Sequence, residues 1–270
     1  MSGIKNLLIL ALAGASLLPA LASAADALAS AADAPAATFT AEQEARIGKI
    51  AADYLVAHPE VLLQASQKLQ QIQAEQQASA ATQAVIKNAD KLTQDKATPT
   101  YGPANGKVTV IEFFDYQCIY CSRLAPVMEQ VIKDHPQTRF AFKEWPIFGS
   151  RWATSLDAAK TGLQIYQQKG AEAYLTYHNG VYATGHNEGK LTAADIQQQA
   201  KKVNFDAKKA ADVEPALENI NQLAQEIGLS GTPGVIVMPT TGATEATITV
   251  FPGLADKASL DAAIKKAGGQ

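Results

Sequence analysis

The amino-acid sequence predicts an α/β fold that contains a block of inserted helices and is preceded by an all-α segment. The apolar run from Val108 to Phe114 has the length and β-branched content of a buried strand. A helical stretch to about His135 and an alternating stretch from Thr138 to Lys143 follow it. This strand–helix–strand order predicts a parallel pair of strands. Two further strands come only after a long helical region, which we therefore interpret as an insertion.

The N-terminus has the pattern of a signal peptide over residues 1–24. An apolar stretch from Leu7 to Leu18 precedes Ala22-Ser23-Ala24, a small-residue cleavage pattern. The stretch is shorter than the roughly 20 residues of a membrane-spanning helix. We therefore expect cleavage after Ala24 and export to the periplasm, with a retained N-terminal anchor as the alternative. The alanine-rich residues 25–37 are expected to form a flexible lead-in.

The composition indicates a soluble protein with one sizeable domain and an accessory segment. Hydrophobic residues make up 47% of the chain and the formal net charge is −3, with an isoelectric point near 5.8. The sequence contains no basic patch, so we expect no nucleic-acid partner.

Residues 38–97 are predicted to be helical. Thr40 is a plausible N-cap, and an apolar face follows it at helical spacing, formed by Ile47, Ile50, Ala51, Tyr54 and Leu55. His58-Pro59 breaks this helix, because the residue before a proline avoids the α region. Pro59 can then occupy the first position of a second helix.

The second helix carries a narrow apolar seam formed by Leu62, Ala65, Leu69 and Ile72. The seam either folds back on its own domain or joins copies of the chain, and we favour self-association as a homodimer or homotrimer. The polar stretch from Gln73 to Lys96 has few apolar residues and is interpreted as a solvated spacer. Residues 38–97 are thus predicted to be an oligomerisation arm and linker.

The α/β domain is predicted to span residues 98–270, with a helical insertion at about 150–228. Its predicted helices cover Trp152 to Lys169, Ala171 to Tyr177, Thr192 to Lys202 and Ala207 to Ile227. Strands at Val235 to Met238 and Thr247 to Phe251 and a helix at Asp256 to Lys266 complete it. His178 and His186 lie in the insertion, where we expect surface or capping roles.

The two cysteines of the chain form one motif, Cys118-Ile119-Tyr120-Cys121, between the strand and the following helix. Unpaired N–H groups and the helix dipole stabilise a thiolate at a helix N-terminus, which lowers the pKa of the first cysteine. Cys118 is therefore the predicted nucleophile. Cys121 lies one turn later and is the predicted resolving thiol.

Two other interpretations of the cysteine pair are less favoured. An inert disulfide that closes so short a loop removes little unfolded-state entropy. A zinc site needs further ligands, and none of the four histidines, His58, His135, His178 and His186, is at ligand spacing with another. We therefore expect no metal and no cofactor.

Two motifs in combination resemble the thioredoxin-like fold in its DsbA-like form, over roughly residues 98–268. One is the segment Phe113 to Cys121, a strand that ends in a Cys-x-x-Cys helix start, and the other is the late Gly231-Thr232-Pro233-Gly234. The resemblance implies a cis Thr232-Pro233 bond beside the nucleophile. It also implies that Thr232, Pro233, Ile119 and Tyr120 contact the substrate.

Glu112 falls where this fold has a buried acid that assists proton transfer at the resolving cysteine. Its apolar strand suits a carboxyl group whose pKa is raised by desolvation. An edge carboxylate that faces water is the alternative. Lys143 on the next strand could pair with Glu112, although a solvated lysine is the favoured interpretation.

Two departures from the oxidase pattern shape the predicted function. Tyr120 stands where oxidases of this family have a histidine, and with Thr232 it resembles the disulfide isomerases DsbC and DsbG. The helical arm is similar to that of the suppressor-of-copper-sensitivity ScsC group. The resemblance implies a periplasmic thiol–disulfide oxidoreductase that isomerises or oxidises disulfides in exported proteins. Its implied partners are those proteins and a membrane redox partner, either an electron donor or an oxidase.

A binding protein is the alternative from another class. Two thiolates suffice to bind copper(I), and an apolar surface could hold unfolded chains as a holdase does. The three methionines, Met1, Met128 and Met238, are few for a dedicated metal carrier.

Overall fold

The computed structural model describes residues 39–268. The predicted signal peptide and lead-in lie outside the described residues. The helices of the described chain are α1 (Ala41–Ala57), α2 (Glu60–Lys87), α3 (Ala89–Thr93), α4 (Ile119–Asp134), α5 (Ala153–Lys169), α6 (Ala171–Tyr182), α7 (Ala193–Lys202), α8 (Glu214–Ile227) and α9 (Lys257–Lys266). The strands are β1 (Thr100–Tyr101), β2 (Val108–Phe114), β3 (Arg139–Glu144), β4 (Gly234–Pro239) and β5 (Thr249–Phe251).

The chain divides into two compact units, and the first ends at Ser66. Its helix α1 begins with a capping box, in which the Gln43 N–H donates to Thr40 Oγ1 at 3.2 Å and the Thr40 N–H donates to Gln43 Oε1 at 2.8 Å. The helix ends at His58, directly before Pro59. The predicted N-cap and the predicted break are both confirmed.

The second unit, Gln67–Gln270, contains a five-stranded sheet in the order β1-β3-β2-β4-β5. Strands β2 and β3 are parallel, which confirms the predicted pair, and β4 runs antiparallel to β2. All seven residues of the central strand β2 are buried. The short edge strand β1 was not predicted, because Tyr101-Gly102-Pro103 has the composition of a turn.

Each face of the sheet is covered by its own set of helices. Val110 and Phe114 on β2 pack in the cluster that contains the buried side chains of α4, α6 and α9. Ile111 and Phe113 point to the opposite face, where the cluster includes side chains of α8. The alternation of β2 side chains thus divides the core into two layers.

Within the helical insertion, the helix predicted from Ala207 to Ile227 is wrong in its first part. The stretch from Ala207 to Ile227 is not continuous, because a short 3-10 turn, Ala207–Lys209, precedes α8 and the two are separated. Pro215 lies in the first turn of α8, where its missing N–H and fixed φ are tolerated.

The predicted solvated spacer from Gln73 to Lys96 is also wrong over its second half. Helix α2 continues to Lys87, and both Val85, 0% exposed, and Leu92, 1% exposed, pack in the core layer that contains α8. Val85 lies near the end of α2 and Leu92 lies on α3, so one buried apolar residue from each helix docks this segment. The predicted domain boundaries stay a prediction.

None of the helices over residues 39–268 is long and apolar enough to span a bilayer.

Candidate active site

Cys118 lies where the loop after the central strand enters helix α4. Its extended backbone makes it the N-cap of that helix, and its sulfur accepts a hydrogen bond from the Cys121 N–H at 3.4 Å. The Cys118 thiol also donates to the Thr232 carbonyl, with the two atoms 3.3 Å apart. The helix start and the late loop therefore meet at this sulfur, as the two motifs predicted.

The pKa values of the two thiols are shifted in opposite directions. A hydrogen bond from the Cys121 side chain is the largest influence that lowers the pKa of Cys118 to about 6, and it outweighs the opposing effect of partial burial. Burial raises the pKa of Cys121 well above its ordinary value, and hydrogen bonding to Cys118 adds to this. Near neutral pH the pair therefore holds one thiolate and one protonated thiol.

Glu112 lies on the central strand and is buried, so the edge carboxylate that faces water is excluded. Among the described residues, neither of its carboxyl oxygens has a hydrogen-bond partner. Desolvation, and then the negative charge of Cys118, raise the pKa of Glu112 to about 8. The negative charge of Glu112 in turn makes a small contribution to the raised pKa of Cys121, after the larger effect of burial.

The loop before β4 reaches the nucleophile because β4 is antiparallel to β2. Phe113 near the end of β2 is opposite Gly234 at the start of β4, so residues 231–233 lie beside the segment that leads to Cys118. The bond between Thr232 and Pro233 is cis, as the resemblance implied.

Ile119 and Tyr120 occupy the first two positions of α4. Ile119 is half-buried, whereas the Tyr120 side chain is 52% exposed, and the Arg123 guanidinium lies 5.5 Å from the centre of its ring. Their predicted contact with substrate stays a prediction.

Lys143 does not pair with Glu112, nor is it solvated. In the parallel register Lys143 is opposite Phe113 and Phe142 is opposite Glu112, so the side chains of Lys143 and Glu112 point to different faces of the sheet. The buried Lys143 ammonium instead donates to the Lys91 carbonyl, the Thr98 hydroxyl and the Asp95 carboxylate.

Sequence reasoning missed a second buried acid, Glu144, on the Glu112 face of the sheet. The hydroxyls of Tyr116 and Tyr174 donate to its Oε1 at 3.0 and 2.9 Å. Burial, despite these two hydrogen bonds, raises the pKa of Glu144 well above its ordinary value. No local signal in the sequence identifies Glu144, because its partners are distant along the chain: Tyr116 follows strand β2 and Tyr174 lies on helix α6.

His178 belongs to the same buried network, which corrects its predicted surface or capping role. Its Nδ1 lies 3.3 Å from the Tyr116 hydroxyl, and its ring packs against Phe114 and Phe142. Burial lowers the pKa of His178 to about 3, so the ring is neutral near pH 7. Because Tyr116 donates its proton to Glu144, the Nδ1 of His178 carries the hydrogen in this arrangement.

Asp115 was also missed, although an aspartate directly after a strand is a common turn former. One carboxylate oxygen accepts from the Gln117 N–H at 2.7 Å. The other accepts from the Phe148 N–H at 2.9 Å and the Ser155 hydroxyl at 2.7 Å. Asp115 therefore fixes the turn that leads into the Cys118 segment.

The described residues contain no group of three or more His, Cys, Asp or Glu side chains placed to hold a metal ion. A strand-end Cys-x-x-Cys with one activated thiol, beside a loop that contains a cis-proline, defines a thioredoxin-like thiol–disulfide oxidoreductase. Comparison with family models agrees, since the model described as thioredoxin matches residues 93–249. The model described as the N-terminal domain of the copper resistance protein ScsC matches residues 43–76.

Solved structures extend the likeness to most of the chain. BcfH of Salmonella enterica Typhimurium is 39% identical, with a TM-score of 0.75, over 84% of this chain and 97% of that one. ScsC of Proteus mirabilis in a transitional conformation is 27% identical, with a TM-score of 0.58, over 85% and 97%. A periplasmic thioredoxin-like protein of Salmonella enterica serovar Typhimurium is 25% identical, with a TM-score of 0.56, over 68% and 97%. The chain belongs to the DsbA-like thioredoxin family that includes ScsC and BcfH.

Two curated relatives match only in part. They are Na⁺/H⁺ antiporters NhaA of Salinispora tropica and Salinispora arenicola, each 23% identical over 148 residues, which is 50% of this chain and 21% of the antiporter. The chain thus spans about a fifth of the length of these relatives.

Proposed function

We propose that the chain is a periplasmic thiol–disulfide oxidoreductase that isomerises or oxidises disulfide bonds in exported proteins. The observation that carries this proposal is the contrast between the two thiols. The pKa of Cys118 is lowered to about 6, while the pKa of Cys121 is raised. Such a pair has an attacking thiolate and a protonated thiol in reserve.

The first step is an exchange of sulfur bonds. The Cys118 thiolate attacks one sulfur of a substrate disulfide, a mixed disulfide forms, and the other substrate sulfur leaves as a thiolate. If that thiolate attacks another disulfide of the same chain, a new substrate disulfide forms and a different substrate thiolate is released. When the released thiolate attacks the mixed disulfide and displaces Cys118, the bonds have been rearranged without net oxidation. This cycle is isomerisation.

Release by Cys121 requires the removal of its proton. In the mixed disulfide the negative charge of Cys118 is gone, so the pKa of Glu112 is lower than its value of about 8 in the dithiol form. The ionised Glu112 carboxylate accepts the Cys121 proton, and the Cys121 thiolate attacks the Cys118 sulfur. The substrate leaves as a thiolate, reduced by two electrons, and the enzyme is left with a Cys118–Cys121 disulfide. An electron donor in the membrane would restore the dithiol, whereas an oxidase partner would drive the reverse cycle.

The surroundings of Cys118 support the predicted substrate-binding residues. The Thr232 carbonyl oxygen lies 3.3 Å from the Cys118 sulfur. Tyr120, two residues after Cys118 in the sequence, is exposed to solvent. An extended substrate strand placed along Thr232 and Pro233 would bring its disulfide to Cys118. Ile119 and Tyr120 would then contact the residues that flank the substrate cysteine.

We further propose that the helical arm joins two or three copies of the chain. Ile50 is 59% exposed and Tyr54 is 55% exposed on α1, and no residue of α1 is buried. A helix that leaves its apolar face in water buries it against a partner. Several active sites on one particle would hold a misfolded chain by multivalent contact.

The association is tested by replacing Ile50 with glutamate and measuring the mass of the particle by light scattering. We expect the variant to be monomeric, and Lys49→Glu, on an exposed position of the same helix, to keep the wild-type mass. A monomeric wild-type protein would contradict this part of the proposal.

The balance between isomerase and oxidase is tested by acid-quenched thiol trapping in intact cells. A thiolate that is stable near neutral pH, with Tyr120 in the position before Cys121, supports a pair that is kept reduced. We therefore expect mainly dithiol and isomerase activity. A mainly oxidised pair would support the oxidase role instead.

Copper(I) handling is the second candidate, and the match with the copper resistance protein ScsC supports it. That match covers residues 43–76 and includes neither cysteine, so the proposal places copper(I) on the thiol pair of Cys118 and Cys121, which lies outside the matched residues. Two measurements on the wild type and on Cys121→Ser distinguish copper(I) handling from thiol–disulfide exchange. They are titration with copper(I) and detection of mixed disulfides with substrates. A carrier loses its copper in the variant, whereas an exchange enzyme accumulates mixed disulfides with its substrates.

A further inference from the structure

The residue before the nucleophile, Gln117, is completely buried, with 0% exposure, and its side chain holds a surface loop. Its Oε1 accepts a hydrogen bond from the Gly189 N–H at 2.8 Å. Its Nε2 donates to the Thr154 hydroxyl at 2.7 Å and to the Leu191 carbonyl at 3.5 Å. The side chain therefore connects the start of α5 with the segment between α6 and α7.

The main chain of Gln117 makes a further bond to the same loop. The Glu188 N–H donates to the Gln117 carbonyl at 2.9 Å, which is the carbonyl of the peptide bond to Cys118. The other polar atom of that peptide bond, the Cys118 N–H, donates to the Asp115 carbonyl at 3.0 Å. The loop backbone thus lies against the peptide group of the nucleophile.

The loop at residues 185–190 is mostly exposed, yet its backbone is closely specified. Gly185, Glu188 and Gly189 have positive φ values of 69°, 51° and 90°. A Cβ atom at Gly189 would lie 2.7 Å from the indole nitrogen of Trp152. A buried amide and a close approach to Trp152 therefore hold a short segment whose side chains at His186, Glu188 and Lys190 face solvent.

We propose that Gln117 is a positioning residue that holds residues 185–190 as a part of the substrate-binding surface beside Cys118. This inference rests on the proposed function, because it concerns extended polypeptide substrates. Residues of the substrate that flank its cysteine contact the loop, whereas a small disulfide reacts with Cys118 without reaching it. Gln117 acts through the loop and not on the reacting sulfurs.

The test compares two disulfides with the reduced full-length protein. One is glutathione disulfide, and the other is an extended peptide whose central cysteine forms a mixed disulfide with glutathione. In Gln117→Met we expect the ratio of the peptide rate to the glutathione rate to fall about tenfold, the equivalent of one lost hydrogen bond. Any change in the pKa of Cys118 cancels in this ratio, because the same thiolate attacks both substrates.

Gln168 provides the matched control. Its amide joins another loop in the same manner, since Nε2 donates to the Asp206 carbonyl at 3.0 Å and Oε1 accepts from the Asp206 N–H at 3.3 Å. Gln168→Met should leave the ratio of rates at the wild-type value. An unchanged ratio in Gln117→Met, or an equal fall in Gln168→Met, would overturn the inference.

A second measurement avoids any loss of folding in Gln117→Met. The peptide, trapped on Cys118 in the Cys121→Ser protein and carrying a photoreactive group beside its cysteine, should cross-link to residues 185–190. Cross-links confined to other segments would overturn the inference and leave the proposed function intact. A wild-type protein that reacts with neither disulfide would instead contradict the proposed function.

Discussion

Lys143 and Glu144 are neighbours on strand β3, yet the two sheet faces on which they lie differ in how fully their buried ionisable groups are hydrogen-bonded. The Lys143 ammonium, on one face of the sheet, donates to three acceptors, including the Asp95 carboxylate at 3.2 Å. On the other face, Glu144 Oε2 and both oxygens of Glu112 have no hydrogen-bond partner among the described residues. Only the second face carries Tyr116 and the cysteines.

The difference indicates which buried charges maintain the fold and which serve chemistry. A fully paired buried charge stabilises the segments it joins, because its loss leaves several polar groups unsatisfied. An unpaired buried acid costs stability, and its raised pKa makes it a proton carrier near neutral pH. The comparison thus assigns structure to the Lys143 face and proton transfer to the Glu112 face.

The largest effect on stability is expected from Lys143→Met. The substitution leaves Asp95, Thr98 and the Lys91 carbonyl without their shared donor, so the free energy of unfolding should fall by about 3 kcal/mol. Denaturant unfolding measures the change. Lys160→Met, which removes the more exposed ion pair with Glu214, should cost less than about 1 kcal/mol. Equal effects of the two substitutions would break the comparison.

Glu112→Gln should slow the release step. Without a proton acceptor for Cys121, the rate at which Cys121 displaces glutathione from a preformed mixed disulfide on Cys118 should fall about 100-fold. Stopped-flow detection of the released thiol gives this rate. The exposed Glu218→Gln serves as the control and should release glutathione at the wild-type rate.

The same variant should change how stability depends on pH. The pKa of Glu112 is raised in the folded protein from 4.5 to about 8, so between these values the folded state holds a proton that the unfolded state has lost. Wild-type stability therefore falls as pH rises through this window, by at most about 1.4 kcal/mol per pH unit from this group. Glu112→Gln should gain stability relative to the wild type from pH 5 to pH 8. A constant difference between the two proteins would show that Glu112 titrates normally.

The smallest effect is expected from Glu144→Gln. The amide oxygen can still accept from Tyr116 and Tyr174, and burial raises the pKa of Glu144, which favours the protonated acid that glutamine resembles. The free energy of unfolding should therefore change by less than about 1 kcal/mol at pH 7. Glu144→Leu leaves two buried hydroxyls unpaired and should cost about 2–3 kcal/mol. If glutamine were as destabilising as leucine, Glu144 would be ionised in the folded protein.

Local signals predicted the part of the site that depends on neighbours in sequence. Cys118 and Cys121 lie at a strand end and a helix start, so both could be identified from a few adjacent residues. The role predicted for Glu112 came from the resemblance to the DsbA-like fold, and its apolar strand supported it. The partners of Lys143 and Glu144 could not, because Lys91 is 52 residues and Tyr174 is 30 residues away along the chain. Tertiary packing chooses those partners.

For the predicted arm and linker, residues 38–97, local sequence likewise predicted the helix ends but not the tertiary contacts. The N-cap at Thr40 and the break at Pro59 follow from local backbone chemistry and were predicted correctly. The docking of Val85 and Leu92 was missed, because a polar stretch with only Val85, Ile86 and Leu92 as large apolar residues gives a weak signal. Which segment such a pair packs against depends on the sheet that it meets.

The central claim is that Cys118 is an activated nucleophile, and its alkylation by iodoacetamide as a function of pH tests this most directly. With Cys121→Ala as a second sample, the reaction reports the thiolate of Cys118 alone, and its midpoint there should be higher because no side chain at position 121 donates a hydrogen bond to Cys118. In the wild type we predict a midpoint near pH 6, in line with the pKa of about 6 for Cys118. A wild-type midpoint close to pH 9, the ordinary pKa of an unperturbed cysteine thiol, would contradict the account.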